Sequence, residues 1–327
     1  EKVRFARTGG ESMAIAVRIA RSATGKDKIA FCGYHGWQDW YLAANLGTEN
    51  ALGEHLIPGL SPTGVPKGLT GTALPFRYNK LEELKNIISN HGNDLAAIVM
   101  EPIRDAQPTP EFIEGVQQLA KASGAVLIID EISAGLRMNT GGAHLLLGIQ
   151  PDIAVFSKAL GNGHPIASII GKGEIMEAAQ KSFISSTYWT ERVGFVAALA
   201  TLRKHKSLNA GDHLMKIGKQ IQSGWKQCAE NHNLKVNIGG IPPLSHFSFE
   251  DEEAATIKAF FIQEMLNEGF LASSSFYSMA AHQENHVETY LKSCDKVFGS
   301  ISQLKSEGRL TKALIGNPSV SGFKRLT

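Results

Sequence analysis

A lysine and an aspartate, each closing an apolar run, are the residues of this chain best placed to do chemistry. Lys158 ends Ile153-Ala154-Val155-Phe156-Ser157 and opens the glycine-rich stretch Ala159-Leu160-Gly161-Asn162-Gly163-His164-Pro165. Asp130 ends Ala125-Val126-Leu127-Ile128-Ile129 and is followed by Glu131. An amine at the end of a buried strand is poorly explained as a solvated surface charge. A carboxylate and an amine at two strand ends are also what pyridoxal phosphate requires: a lysine to hold its aldehyde as a Schiff base and an acid on its ring nitrogen.

The elements that must position this pair can be read from apolar runs alternating with helical patterns, the mark of βαβ units. Strands are expected at 2–6, 28–32, 95–101, 125–130, 153–156 and 166–170, and helices at 11–24, 80–91, 110–123 and 193–204. Several of the strand runs are apolar throughout, as in a sheet covered on both faces. Ligands of such sheets sit beyond the carboxyl ends of the strands, where Glu101, Asp130 and Lys158 all fall. The character changes near 206. Helical spacing of Leu214, Ile217, Ile221 and Trp225, then of Val287, Leu291, Val297 and Ile301, with a strand-like 245–249 between them, predicts a smaller α+β domain. The fold class expected is therefore α/β: a mostly parallel central sheet with helices on both faces over 1–206, and a C-terminal α+β domain over 207–327. The glycine- and proline-rich stretch 47–72 is expected to be a long ordered loop.

Other motifs each admit a plain structural reading. Thr8-Gly9-Gly10-Glu11-Ser12 joins a strand to a helix; its free N–H groups suit a phosphate, yet it serves equally as a tight turn capped by Thr8 or Ser12. Gly33-Tyr34-His35-Gly36-Trp37-Gln38-Asp39-Trp40-Tyr41 offers an aromatic to stack on a planar ring, but Trp37, Trp40 and Tyr41 are better taken as core. Asp130 and Glu131 lack a histidine at zinc spacing, and no G-x-x-x-x-G-K-[ST] loop exists to pair them with a nucleotide and magnesium, so no metal site is assigned. His164, His205 and the other histidines read as surface or helix-end residues.

Composition sets outer bounds. The 327 residues are 43% hydrophobic and 20% charged with a net charge of +2, so nothing electrostatic points to nucleic acid or an acidic membrane. Cys32, Cys228 and Cys294 form neither a metal spacing nor a disulfide framework, which favours a reducing, cytoplasmic setting. No apolar run approaches the roughly 20 residues that span a bilayer.

Taken in order, Thr8-Gly9-Gly10-Glu11, Tyr34-His35-Gly36, Glu101-Pro102, Asp130-Glu131-Ile132-Ser133-Ala134-Gly135-Leu136-Arg137 and Ser157-Lys158-Ala159-Leu160-Gly161 resemble the class III aminotransferases, which are fold type I pyridoxal-phosphate enzymes. Within them the chain is similar to the glutamate-1-semialdehyde aminomutase-like branch, through Ala272-Ser273-Ser274-Ser275-Phe276 and Ala280-Ala281-His282. The resemblance covers nearly the whole chain. It implies that Lys158 holds the cofactor and shuttles the proton, and that Asp130 pairs with the pyridinium nitrogen. It further implies that the Gly9 and Gly10 amides hold the phosphate and that Tyr34 stacks on the ring with His35 beside it. Thr187 matches a threonine that reaches the cofactor phosphate of a neighbouring subunit, which implies a homodimer. Desolvation would lower the lysine pKa so that it can attack a carbonyl.

Departures from the family pattern bear on the reaction. The phosphate turn is Thr8-Gly9-Gly10-Glu11 where Ser-Gly-Thr-Glu is usual. Ala134 replaces a threonine, and Trp189-Thr190-Glu191-Arg192 replaces Gly-Asn-Pro after Thr187. Tyr277 stands where the aminomutases carry a glutamate. Family members have a segment ahead of the phosphate turn, whereas this chain opens at Glu1 directly before a strand, so it reads as N-terminally truncated. These features imply an aminotransferase that moves an amino group from a donor such as glutamate to an aldehyde or ketone by a ping-pong, Schiff-base route. Trp37, Trp40, Trp189 and Arg192 are candidates for the acceptor pocket. The Trp-Thr-Glu-Arg stretch also resembles relatives that aminate sugar-derived acceptors. The alternatives are an aminomutase-like isomerase and a non-catalytic binding or dimerisation module.

Overall fold

In the computed structural model, which describes residues 1–105 and 107–318, the chain divides into two compact units, the first covering Glu1–Asn209 and the second starting at Ala210. The first unit holds seven strands: β1 (Lys2–Ala6), β2 (Lys28–Cys32), β3 (Ala73–Pro75), β4 (Leu95–Met100), β5 (Val126–Asp130), β6 (Ile153–Phe156) and β7 (Ala167–Gly171). They form one sheet in the order β1-β7-β6-β5-β4-β2-β3. Strands β6, β5, β4, β2 and β3 pair in parallel, while β7 runs antiparallel to both of its neighbours, β1 and β6. Two reversals restore direction, so β1 points the same way as β6. The carboxyl ends of β1, β2, β4, β5 and β6 therefore share one edge.

Side chains alternate across a strand, and both faces of these strands are buried. Ile29, Phe31, Ala97, Val99, Val126, Ile128 and Val155 face one core, against Met13, Ala16, Val17 and Ala20 of the helix Gly9–Thr24. Ala30, Cys32, Ile98, Met100, Leu127 and Ile129 face another, against Leu84 of Leu81–His91 and Phe112, Val116 and Ala120 of Pro110–Ser123. This is why the strand runs read as continuously apolar. Helix Pro110–Ser123 starts where Thr109 accepts the Phe112 N–H at 3.2 Å and Pro110 presets the first turn; it stops at Gly124, whose φ of 66° is left-handed.

The second unit packs helices Ala210–Asn231, Ala254–Asn267 and Glu284–Ser306 against an antiparallel sheet. Its central strand β9 (Leu244–Phe249) lies between β8 (Val236–Gly239) and β10 (Ser275–Tyr277). Trp225, Phe247, Phe261 and Phe298 fill its core, and the indole N–H of Trp225 donates to Tyr290 Oη at 3.0 Å.

The mostly parallel sheet with helices on both faces and the smaller α+β unit match the expected fold class. Periodicity missed three short strands, β3, β8 and β10. β8 and β10 are half-exposed and carry no apolar run, while β3 is only three residues long and ends in a proline at the sheet edge. It also gave no sign that β7 reverses, because an antiparallel strand buried on both sides is as apolar as a parallel one. The stretch 47–72 is mostly turns with one short 3₁₀ segment at Lys67–Leu69, anchored where the buried Asn45 amide donates to the Leu60 carbonyl and accepts the Leu52 N–H.

Candidate active site

Asp130 is the last residue of β5 and lies opposite Val155 of β6. Lys158 follows three residues later, at the end of that neighbouring strand. The Asp130 carboxylate is buried: Oδ1 accepts the Ile132 N–H at 3.0 Å and Oδ2 lies 2.8 Å from His35 Nδ1. His35 is buried as well, and its Nε2 faces the Cys32 carbonyl at 3.2 Å. Both ring nitrogens thus meet acceptors. His35 packs under the carboxylate, stacked on Trp40 with 26° between the planes.

Lys158 sits just past β6 with φ of 45°, in the left-handed region, and its Nζ donates to Ser133 Oγ at 2.9 Å. The protein packed around the ammonium lowers its pKa from the ordinary lysine value, while Asp130 and Glu101 pull the other way. Ser133 lies on the loop after β5, so the amine and the carboxylate are tied to the same short segment.

The segment after β1 offers backbone amides without helical partners. Gly9 and Gly10 are the first residues of their helix, and the first helical hydrogen bond is made by the Ser12 N–H to the Thr8 carbonyl at 3.0 Å. The Gly9 and Gly10 amides therefore keep no helical partner. Thr8 makes no side-chain cap, and Ser12 Oγ donates back to the Gly9 carbonyl. The Glu11 carboxylate is turned away: it accepts the Arg7 N–H at 2.9 Å and the Trp189 indole N–H at 3.1 Å. Gly36 closes the cradle. Its φ is 103°, and a Cβ there would stand 2.9 Å from Gly10 Cα, so only glycine lets the two backbones approach this closely.

Tyr34 leaves β2 on the same edge. Its N–H donates to Glu101 Oε2 at 3.0 Å, and the Arg104 guanidinium lies over its ring at 5.6 Å. Glu101 is buried, and burial raises its pKa against the pull of Arg104. Amide donors for a phosphate, an aromatic face, a buried carboxylate and a depressed lysine amine thus line one edge, and the set fits pyridoxal phosphate in kind and order.

Other expectations are corrected. Trp40 and Tyr41 are core, as expected, but Trp37 is 70% exposed. Trp40, buried under His35, cannot line an acceptor pocket. Trp189 can: with Thr8, Glu11, Gln38 and Ile184 it borders a cleft of about 560 Å³ beside the phosphate turn. Arg192 and Thr187 are exposed, and no side-chain hydrogen bond among the described residues joins Thr187 to Lys158 or Asp130. His205 is a helix-end residue, in the last turn of Arg192–Ser207, and is buried there between Thr140 Oγ1 at 2.7 Å and the Leu136 carbonyl at 2.6 Å.

Glu131 is the residue whose role the sequence concealed. It is fully buried and accepts the Ala143 N–H at 3.1 Å, the His144 N–H at 2.7 Å and His144 Nδ1 at 2.6 Å. It pins the far end of the loop that carries Ser133. A second tie, Arg7 to Glu191 at 2.7 Å and to the Pro165 and Tyr188 carbonyls, fastens the Tyr188–Glu191 turn to the end of β1. Partners 13 and 184 residues away leave no signal in a linear pattern.

Comparison with known proteins places the chain. The family profile described as Aminotransferase class-III matches residues 1–287. The chain is 34% identical over 265 residues to the 3-aminobutyryl-CoA aminotransferase of Cloacimonas acidaminovorans (strain Evry), covering 79% of this chain and 60% of the relative. It is 32% identical over 320 residues to the glutamate-1-semialdehyde 2,1-aminomutase of Desulfatibacillum aliphaticivorans, covering 91% and 74% respectively. A solved structure described as a transaminase with PLP bound superposes with a TM-score of 0.80 at 26% identity, over 94% of this chain and 75% of that one. The profile spans the whole first unit and much of the second, and the motifs it covers are those that line the edge described above: the chain belongs to the class III aminotransferases.

Proposed function

We propose that the protein transfers an amino group from a small amino donor, glutamate being the first to test, to an aldehyde or ketone, with pyridoxal phosphate as cofactor. The observation that carries this is the Lys158 amine, held by Ser133 Oγ at 2.9 Å, at the end of the strand adjacent to the one that ends in buried Asp130. Bound cofactor would supply an aldehyde and an electron-accepting ring. The Gly9 and Gly10 amides would hold its phosphate, Tyr34 would carry its ring, and Asp130 would keep a proton on the ring nitrogen. Lys158 would hold the aldehyde and, once displaced by donor, move a proton between the donor carbon and the cofactor. Its Ser133 contact holds the free amine to the segment that follows Asp130. Thr187, exposed as a partner-facing residue must be, would reach the cofactor phosphate of a second copy in a homodimer. A sugar-derived acceptor is the finer reading, resting on the Trp189–Arg192 stretch.

The test adds pyridoxal phosphate, reads the visible absorbance, reduces with borohydride and maps the pyridoxyl group by mass spectrometry. A label on Lys158, followed by bleaching of the visible band with glutamate, is expected; a folded protein that takes up no label refutes the reading. The likeness to an aminomutase favours one rival, an intramolecular amine transfer, against which Tyr277 stands. Product formed from an amino-aldehyde with no added donor, beyond one turnover, would establish that rival instead.

A further inference from the structure

Arg104 is three residues beyond the end of the buried Glu101 and is exposed. Its Nη1 contacts Glu101 Oε2 at 3.0 Å, the same oxygen that accepts the Tyr34 N–H at 3.0 Å. Its guanidinium also lies over the Tyr34 ring, 5.6 Å from the centroid. Tyr34 is thus held at its backbone through Glu101 and at its ring by the cation that Glu101 orients. The remaining supports are fixed. Gly33, with φ of 109°, lies so close to Glu101 that a Cβ would fall 2.7 Å from Oε2, and its carbonyl accepts the Tyr41 hydroxyl at 3.0 Å. The Tyr41 ring meets Tyr34 edge-on at 6.1 Å.

We infer that Arg104 is a positioning residue for the cofactor: clamped by Glu101, it fixes the plane of the Tyr34 ring through a cation–π contact, so that this ring is preorganised to stack on pyridoxal phosphate. This rests on the reading of Tyr34 as the residue that carries the cofactor ring. A guanidinium suits the task, because one planar group can pair with a carboxylate through its edge and cover an aromatic with its face. The charge is also felt at the chemistry, since Arg104 is among the groups that lower the Lys158 pKa. An aromatic free to rotate would lose part of its stacking energy to ordering on each binding event.

The test is a double-mutant cycle on cofactor binding, read by visible absorbance and by the circular dichroism induced in the bound cofactor. Arg104→Met should raise the dissociation constant for pyridoxal phosphate about tenfold and weaken the induced dichroism. Arg104→Lys, which keeps a cation but not the fork, should restore part of both. In a Tyr34→Ala background Arg104→Met should have no further effect, because the residue it acts through is gone. Equal loss in the presence and absence of the Tyr34 ring overturns the inference, as does unchanged binding and dichroism in Arg104→Met. Cofactor binding by Tyr34→Ala as tight as that of the unaltered protein removes the reading of Tyr34 and the inference with it. Failure of the unaltered protein to bind cofactor would count against the proposed function itself.

Discussion

Replacing Glu131 with alanine should destabilise the first unit by about 2–6 kcal/mol, far more than any surface carboxylate. The magnitude follows from what is left behind. Glu131 is fully buried, and its two oxygens serve three donors: the Ala143 N–H, the His144 N–H and the His144 ring. The imidazole can switch tautomer, but the two backbone amides cannot, and both residues are buried. Each orphaned buried donor costs about 1–3 kcal/mol, giving about 2–6 kcal/mol for the pair. Glu131→Gln keeps one oxygen and orphans one amide, so it should lose about half as much. Glu82 provides the contrast: its contact with Lys85 is also 2.6 Å, but both side chains are well exposed, so Glu82→Ala should cost no more than about 1 kcal/mol. Urea unfolding, with hydrogen exchange to resolve the Ala143 and His144 amides, would measure all three. An alanine variant within about 1 kcal/mol of the unaltered protein, with both amides still protected, would refute the reasoning. So would equal losses in the alanine and glutamine variants. The consequence reaches the site, because the loop that Glu131 pins carries Ser133, the partner of Lys158.

Three more outcomes are expected. Lys158 occupies the left-handed region at φ 45°, so Lys158→Gly should be about 1 kcal/mol more stable than Lys158→Ala in thermal or urea melts, and neither should take a borohydride-fixed label. The pKa of Lys158 is lowered in the folded chain, so the unfolded chain binds the extra proton between the folded and the unfolded value. Stability from this site should therefore rise with pH across that window. Labelling of Lys158 by pyridoxal and borohydride should have its pH midpoint below the ordinary lysine value of about 10.4, and Asp130→Asn, which removes an attraction for the ammonium, should move that midpoint further down; an upward move would refute the assignment. Gly36→Ala places a Cβ 2.9 Å from Gly10 Cα in a backbone conformation unsuited to it, and should weaken pyridoxal phosphate binding at least tenfold. Gly10→Ser, whose Cβ would meet the movable Gln38 side chain at 3.4 Å and Gly36 Cα at an ordinary 3.9 Å, should be tolerated.

What could be read from the sequence divides along a physical line. Lys158 and Asp130 stood out as candidates because each ends or follows an apolar run, and in a sheet buried on both faces the run itself marks the strand end where ligands sit; Gly9, Gly10 and Tyr34 became candidates only through the family resemblance. The same logic fails for residues that act on other residues. Glu131 received no role from the sequence because its donors lie on a segment whose only sequence mark is a pair of glycines. His35 was expected next to Tyr34 at the ring through the resemblance alone, and successive residues leaving a strand point to opposite sides. Tyr34 therefore faces the edge while His35 turns under it to Asp130. That geometry changes the account of the buried acid. A carboxylate with no partner except a bound cofactor would stand uncompensated whenever the cofactor left. Here Asp130 is already served by the Ile132 amide and a buried imidazole, so the chain holds this carboxylate in place by itself. The buried histidine is what keeps the acid buried and hydrogen-bonded, and in the proposed reading ready for a cationic partner.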